Sequence, residues 1–144
     1  NARTTSSGGG RGGYTYSKHH FLNYRTATLV MDGKALPGVP RHYLSGSATL
    51  EVARHGWVTI EETASSSCFV DDPNTLQNGK WAATNVRAGV DVAVTGWNIK
   101  VFGGVGNLWN ARYAGSVQVN AAGGRYFEPA PRRNVTVGME IGAR

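Results

Sequence analysis

Histidine is the first residue type here with chemistry to offer. His19-His20, His42 and His55 bring the side chain that most often ligates transition metals. Neighbouring residues of an extended chain point to opposite faces, so His19 and His20 could share an ion only across a bulge. No second ligand stands at strand or helix spacing from either. They read as interface or loop residues, and no metal site is expected. Asp71-Asp72 and Asn74 supply oxygens of the kind calcium takes, but without EF-hand spacing, so DDPN reads as a turn opened by Asp and Pro. Glu61-Glu62 fall on opposite faces of an extended segment and cannot work as an acid/base pair. The stretch FGGVGN (102–107) lacks the third glycine and the following helix of a dinucleotide loop. Its glycines read as positions where a strand surface stays flat or another group comes close. Cys68 is the lone cysteine, which excludes an internal disulfide and a multi-cysteine zinc site and leaves it as a small filler. No nucleophile, base and oxyanion donor occur together, so neither enzyme activity nor a cofactor is expected.

Binding and architecture are left to carry the function. The 144 residues make at most one domain, with 20 Gly, 40% hydrophobic and 17% charged residues, a composition that favours strands and turns over helices. A net charge of +6 is compatible with anionic partners. The cations are scattered singly apart from Arg132-Arg133, however, so no nucleic-acid partner is expected.

Residues 1–13 are Gly/Ser-rich and read as a flexible arm, leaving 14–144 as the structured part. About six segments with a period of two follow: 14–24, 43–54, 57–66, 81–94, 97–108 and 134–143. In 43–54, Leu44, Ala48, Leu50 and Val52 oppose Ser45, Ser47, Thr49 and Glu51. In 81–94, Val86, Val90 and Val92 oppose Asn85, Arg87 and Asp91. Trp97, Ile99, Val101 and Val105 oppose Asn98, Lys100 and Phe102, and Val135, Val137, Met139 and Ile141 oppose Asn134, Thr136 and Glu140.

Tight connections at His55-Gly56 and Thr95-Gly96, where glycine is expected at positive φ, alternate with long ones at 25–42, 66–80 and 109–132. Every long loop therefore lies at one end of the sheet. Strands of about ten residues with one apolar face, short turns at one end and long loops at the other form the pattern of an outer-membrane barrel. Tyr43, Trp57, Trp81 and Trp97, near strand ends, read as its aromatic girdle. The rival reading is a soluble, basic β-sandwich binding module whose polar face is simply wet.

YTYSKHHFLNY (14–24), GKALPGVPRHYL (33–44), WVTIEE (57–62), DDPNT (71–75) and the run from Gly96 to Ile141, in this order, resemble the C-terminal barrel portion of TonB-dependent outer-membrane receptors. These are siderophore and nutrient receptors with a wide barrel and an internal plug. The most specific piece holds Asn107-Leu108 at a strand end, Tyr113, and GRYFEPAPRRN with Tyr126, Pro129, Pro131, Arg133 and Asn134. The resemblance implies a bacterial outer-membrane location and an all-β antiparallel meander forming part of a transmembrane barrel wall. It also implies long loops at an extracellular vestibule where ligand is first met, and Gly turns in the periplasm. Asn85, Arg87, Asp91, Asn98, Lys100, Thr136 and Glu140 would then face the lumen, and Leu50, Val52, Val90, Val92, Val101, Val137 and Met139 the lipid. The prolines of 123–131 are expected to prevent further strand pairing.

Three features depart from the family pattern. Ala143 and Arg144 stand where a terminal aromatic is usual, the Gly-rich arm replaces a strand expected before YTYS, and the plug and about sixteen of some twenty-two strands fall outside these residues. Six strands cannot close, so the expected partners are membrane lipid and other protein chains, with the TonB system engaged only indirectly. Three arrangements satisfy this: one piece of a split receptor, a receptor fragment reused as a structural subunit of a membrane assembly, or copies joined into one barrel.

Overall fold

The computed structural model describes residues 7–52 and 55–143. Six long strands form one antiparallel sheet: β1 (Gly8–Tyr16), β2 (His42–Val52), β3 (Gly56–Ser65), β6 (Trp81–Val94), β7 (Trp97–Gly106) and β10 (Asn134–Ala143), in the order β1-β2-β3-β6-β7-β10. Two small ladders lie within the long loops, β4 (Cys68–Phe69) with β5 (Gln77–Asn78) and β8 (Ala114–Val117) with β9 (Phe127–Pro129). The chain is all-β, and its main sheet is open, with β1 and β10 as edges. No second sheet lies over it among the described residues, which removes the sandwich.

Register fixes the two faces. Leu50 lies opposite Val58 and Ile60 opposite Val86. Val90 faces Val101, and Val101 faces Met139. One face thus carries Leu44, Ala48, Leu50, Val52, Val58, Ile60, Val86, Val90, Val92, Ile99, Val101, Val137, Met139 and Ile141. Among the described residues nothing covers it: Leu50, Val90, Val101 and Val137 are 52%, 41%, 41% and 80% exposed. The buried residues gather at the long-loop end, where Val70 is fully enclosed and Met31, Cys68, Ala83 and Ala121 are nearly so. A water-soluble sheet would bury its apolar face first, so this inverted distribution is the main physical fact about the fold.

Several expectations need correction. Residues 14–24 are not one strand. β1 begins at Gly8, and the chain leaves the sheet after Tyr16 into an irregular hairpin held by Phe21 N–H to Lys34 O and Leu36 N–H to His19 O. The strand therefore runs through the second half of the Gly-rich segment. Glycines carry no side chains to show a period, yet their backbone pairs fully with β2, from Gly8–Leu50 to Tyr16–His42. Residues 1–6, the pair Ala53-Arg54 and Arg144 lie outside the described residues. Gly96 has the expected positive φ of 80°. Gly56 does not, and is needed because a Cβ there would stand 2.7 Å from the Val52 carbonyl oxygen. Pro129 does not prevent pairing: it ends β9 opposite Ala114, a place where its missing N–H costs nothing.

Candidate functional site

The polar face of the sheet gathers Asn85, Arg87, Asp91, Asn98, Lys100, Thr136 and Glu140. Lys100 sits between Asp91 on β6 and Glu140 on β10, 3.8 Å from the Glu140 carboxylate. Arg87 reaches Glu61 on β3 at 3.6 Å, and Thr49 and Thr59 hydroxyls meet across β2 and β3 at 2.9 Å. The two ion pairs are solvent-accessible and of the kind that adds little stability. On the long-loop side of Glu61 an open hollow of about 450 Å³ is lined by Arg11, Ser45, Ser47, Glu61, Thr63 and Asn85.

Large aromatics stand on this face too, which corrects the expected girdle. Tyr43 lies opposite Ser65, Ser65 opposite Trp81 and Trp57 opposite Gly89, all on the polar side; only Trp97 of the four belongs to the apolar side. Trp57 covers Gly89 and Phe102 covers Gly138 so closely that an added Cβ would meet the rings at 2.6 and 2.4 Å. These are the close approaches that interior strand glycines permit. The apolar face finds its long-loop-end aromatics elsewhere, in Tyr14, Tyr16 and Trp109. Tyr14 hydroxyl and His42 Nδ1 are 2.7 Å apart, and the Trp109 indole N–H donates to the Thr84 hydroxyl at 3.0 Å. The same face holds one carboxylate, Glu62, which accepts from the Thr84 hydroxyl.

The seven candidate lipid-facing residues, Leu50, Val52, Val90, Val92, Val101, Val137 and Met139, share the apolar face. Val52, Gly56, Val90, Val101 and Met139 occupy one register row across five strands.

At the long-loop end the three loops join into one cap. Asn74, in the second, forms a two-way bond with the Ala35 backbone in the first: its side chain accepts from Ala35 N–H at 2.7 Å and donates to Ala35 O at 2.9 Å. Asn120, in the third, accepts from Asp72 N–H at 2.9 Å and gives its own N–H to Val70 O. Asp71 is buried, and its carboxylate accepts from the Thr75 hydroxyl and from the Thr75 and Leu76 N–H groups. Burial pushes its pKa up, but those hydrogen bonds outweigh burial and hold it below the ordinary carboxylate value. DDPN is thus a turn whose first acid is occupied by its own loop. Burial raises the Cys68 thiol, consistent with a filler.

Asn107 ties this cap to the sheet. Its side chain donates to Ala111 O and Pro131 O and accepts from Ala111 N–H, while its own N–H reaches the Asn85 side chain. Leu108 N–H bonds Thr84 O, Tyr113 stacks on Trp81 at 4.4 Å, and its carbonyl receives Ala130 N–H. Arg133 N–H reaches the Asn110 side chain, Asn134 returns to Arg132 O, and the Tyr126 carbonyl receives Gln118 N–H. Sequence reasoning had no hold on Asn74 and Asn120 as inter-loop clamps. Their signal is Asn at positive φ, shared by Asn23, Asn74, Asn107, Asn110 and Asn120.

No family model matches the chain. Among solved structures, the siderophore receptor PiuA from Acinetobacter baumannii aligns with 97% of this chain at a TM-score of 0.76 and 18% identity. The ferric-catecholate import receptor Fiu from E. coli K12, in its closed form, aligns with 93% at a TM-score of 0.69 and 16% identity. The chain spans 20% and 18% of those receptors. At such identities the likeness is one of fold, and it agrees with the resemblance read from the sequence: the open sheet is like part of a receptor barrel wall.

Proposed function

We propose that this chain is a wall-and-loop segment of an outer-membrane receptor of the siderophore-uptake kind, set with its apolar face in lipid and its polar face toward the lumen. The observation that carries this reading is the uncovered apolar face of a six-stranded sheet whose buried residues, among those described, gather at the long-loop end. Strands of nine to fourteen residues are long enough to cross a bilayer at a tilt. The apolar run also steps along the sheet. It starts at Leu44 in β2, but at Val86, Val105 and Val135 in β6, β7 and β10, whose register row meets β2 at Ala48, four residues further on. A level band drawn across tilted strands produces that staircase.

In this role the segment does no chemistry. The cap contributes to the outer vestibule, the charged rows line a wet passage, and other protein strands continue the sheet from β1 and β10. Coupling to the TonB system would run through those other parts.

Single cysteines in a Cys68→Ser background test the orientation. In intact membranes a water-soluble maleimide should label positions 85, 100 and 136 and spare 90, 101 and 137. Equal labelling of both sets, or a chain that stays monodisperse in buffer without detergent, would overturn the reading.

A further inference from the structure

The apolar face is not uniform at its long-loop end. Ala64 and Ala82 lie directly opposite each other, with Leu44 and then Tyr14 next in the same register row. Two small side chains between larger ones leave a depression of about 470 Å³ lined by Tyr14, His42, Leu44, Ala64, Lys80 and Ala82 among others, with no acidic residue in its lining. One wall is fixed, because Tyr14 is hydrogen-bonded to His42 and Tyr16 leans on the same imidazole at 5.3 Å. Trp109, bonded to Thr84, stands beyond Ala82. Lys80 is exposed at the upper rim and makes no ion pair among the described residues. The one carboxylate of this face, Glu62, lies two residues below Ala64 and is engaged by Thr84, on the far side of the groove from Lys80.

We infer that this groove is a binding site for an anionic, phosphate-bearing lipid, with an acyl chain lying over Ala64 and Ala82 and the net negative headgroup at Lys80. The occupant follows from two observations. The groove is continuous with the apolar face assigned to the bilayer, so its contents come from the membrane, and its free charge is a cation at the level where headgroups lie. The inference rests on the orientation proposed above.

Native mass spectrometry of the detergent-extracted protein, with whatever chains accompany it, tests the inference by titration with phosphatidylglycerol and phosphatidylcholine of identical acyl chains. The anionic lipid should bind about fivefold tighter, the weight of one surface cation. Lys80→Gln should erase that preference while Lys80→Arg keeps it, and Ala82→Leu, which fills the groove, should weaken both lipids. No preference in the wild type, or a preference unchanged by Lys80→Gln and Ala82→Leu, overturns the site. A nitroxide at position 137 separates the two readings. If it is exposed to lipid while the groove variants bind normally, only the lipid site falls; if it is exposed to water, the orientation falls and the lipid site with it.

Discussion

At the scale of single residues, the polar side chains that matter most hold the loops to the sheet. Asn107 is 4% exposed, has φ of 49°, and joins the strand end to two points of the third loop. Asn107→Gly keeps the backbone conformation but removes the part-buried hydrogen bonds to Ala111 and Pro131, at a cost of about 1–3 kcal/mol. Asn107→Ala adds the left-handed penalty of about 1–2 kcal/mol. Urea unfolding of the detergent-solubilised protein should rank them wild type, Gly, Ala; equal stability of the two variants would refute the backbone part. Asp71 gives the loops a pH dependence. Because its folded pKa is lowered, the ionised carboxylate adds stability above the unfolded value, and that stability is lost as pH falls through the folded value. Hydrogen-exchange protection of the Thr75 and Leu76 amides should therefore begin to fall as pH drops below the ordinary carboxylate range and be lost only below the lowered folded value. Asp71→Asn should flatten this dependence, and a wild-type acid dependence no steeper than the variant's would count against it.

The elements show what was legible beforehand and what was not. Segments 81–94 and 134–143 match β6 and β10 residue for residue, because Val, Met and Ile recur at every second position and the turn signals beside them are sharp. β1 was hidden by its glycines. The aromatics misled because their nearness to strand ends says nothing about side: which face of the sheet Trp57 or Trp81 takes is decided by parity within the strand, and both share parity with Arg87. The loop cap was illegible because its bonds join residues 39 and 48 positions apart through side chains of ordinary turn residues. Two substitutions test the elements. Gly138→Ala puts a methyl group against the Phe102 ring and should cost about 1–3 kcal/mol. Phe102→Leu should recover part of that loss in the double variant, and strict additivity would deny the contact. Val90→Arg, in the middle of the apolar face, should cost about 2–4 kcal/mol of stability in a bilayer, whereas Asn85→Arg on the polar face should be tolerated.

For the whole molecule, the decisive quantity is the set of backbone groups left at the two edges. An antiparallel edge strand turns alternate N–H and C=O groups outward, and β10 is bonded on one side only, to β7. In water those groups are hydrated. In hydrocarbon each one costs several kcal/mol, so a sheet that sets Val137 and Met139 against lipid cannot leave the amides beside them unpaired. The apolar face and the edges thus impose one joint condition: wherever the face is in the bilayer, other strands run along β1 and β10. The glycines of β1 fit such a junction, since five of its nine residues carry no side chain to restrict a neighbour's packing. Hydrogen exchange in native membranes reads this condition directly. Every amide of β10 from Val135 to Ile141 should be protected, including the alternate ones that do not bond to β7, and the outward amides of β1 likewise. Addition of a detergent that strips away neighbouring chains should release only the outward set, leaving the β7-bonded amides slow. If the outward amides already exchange freely in the membrane, no strand lies against that edge, and the placement of the apolar face in lipid fails with it.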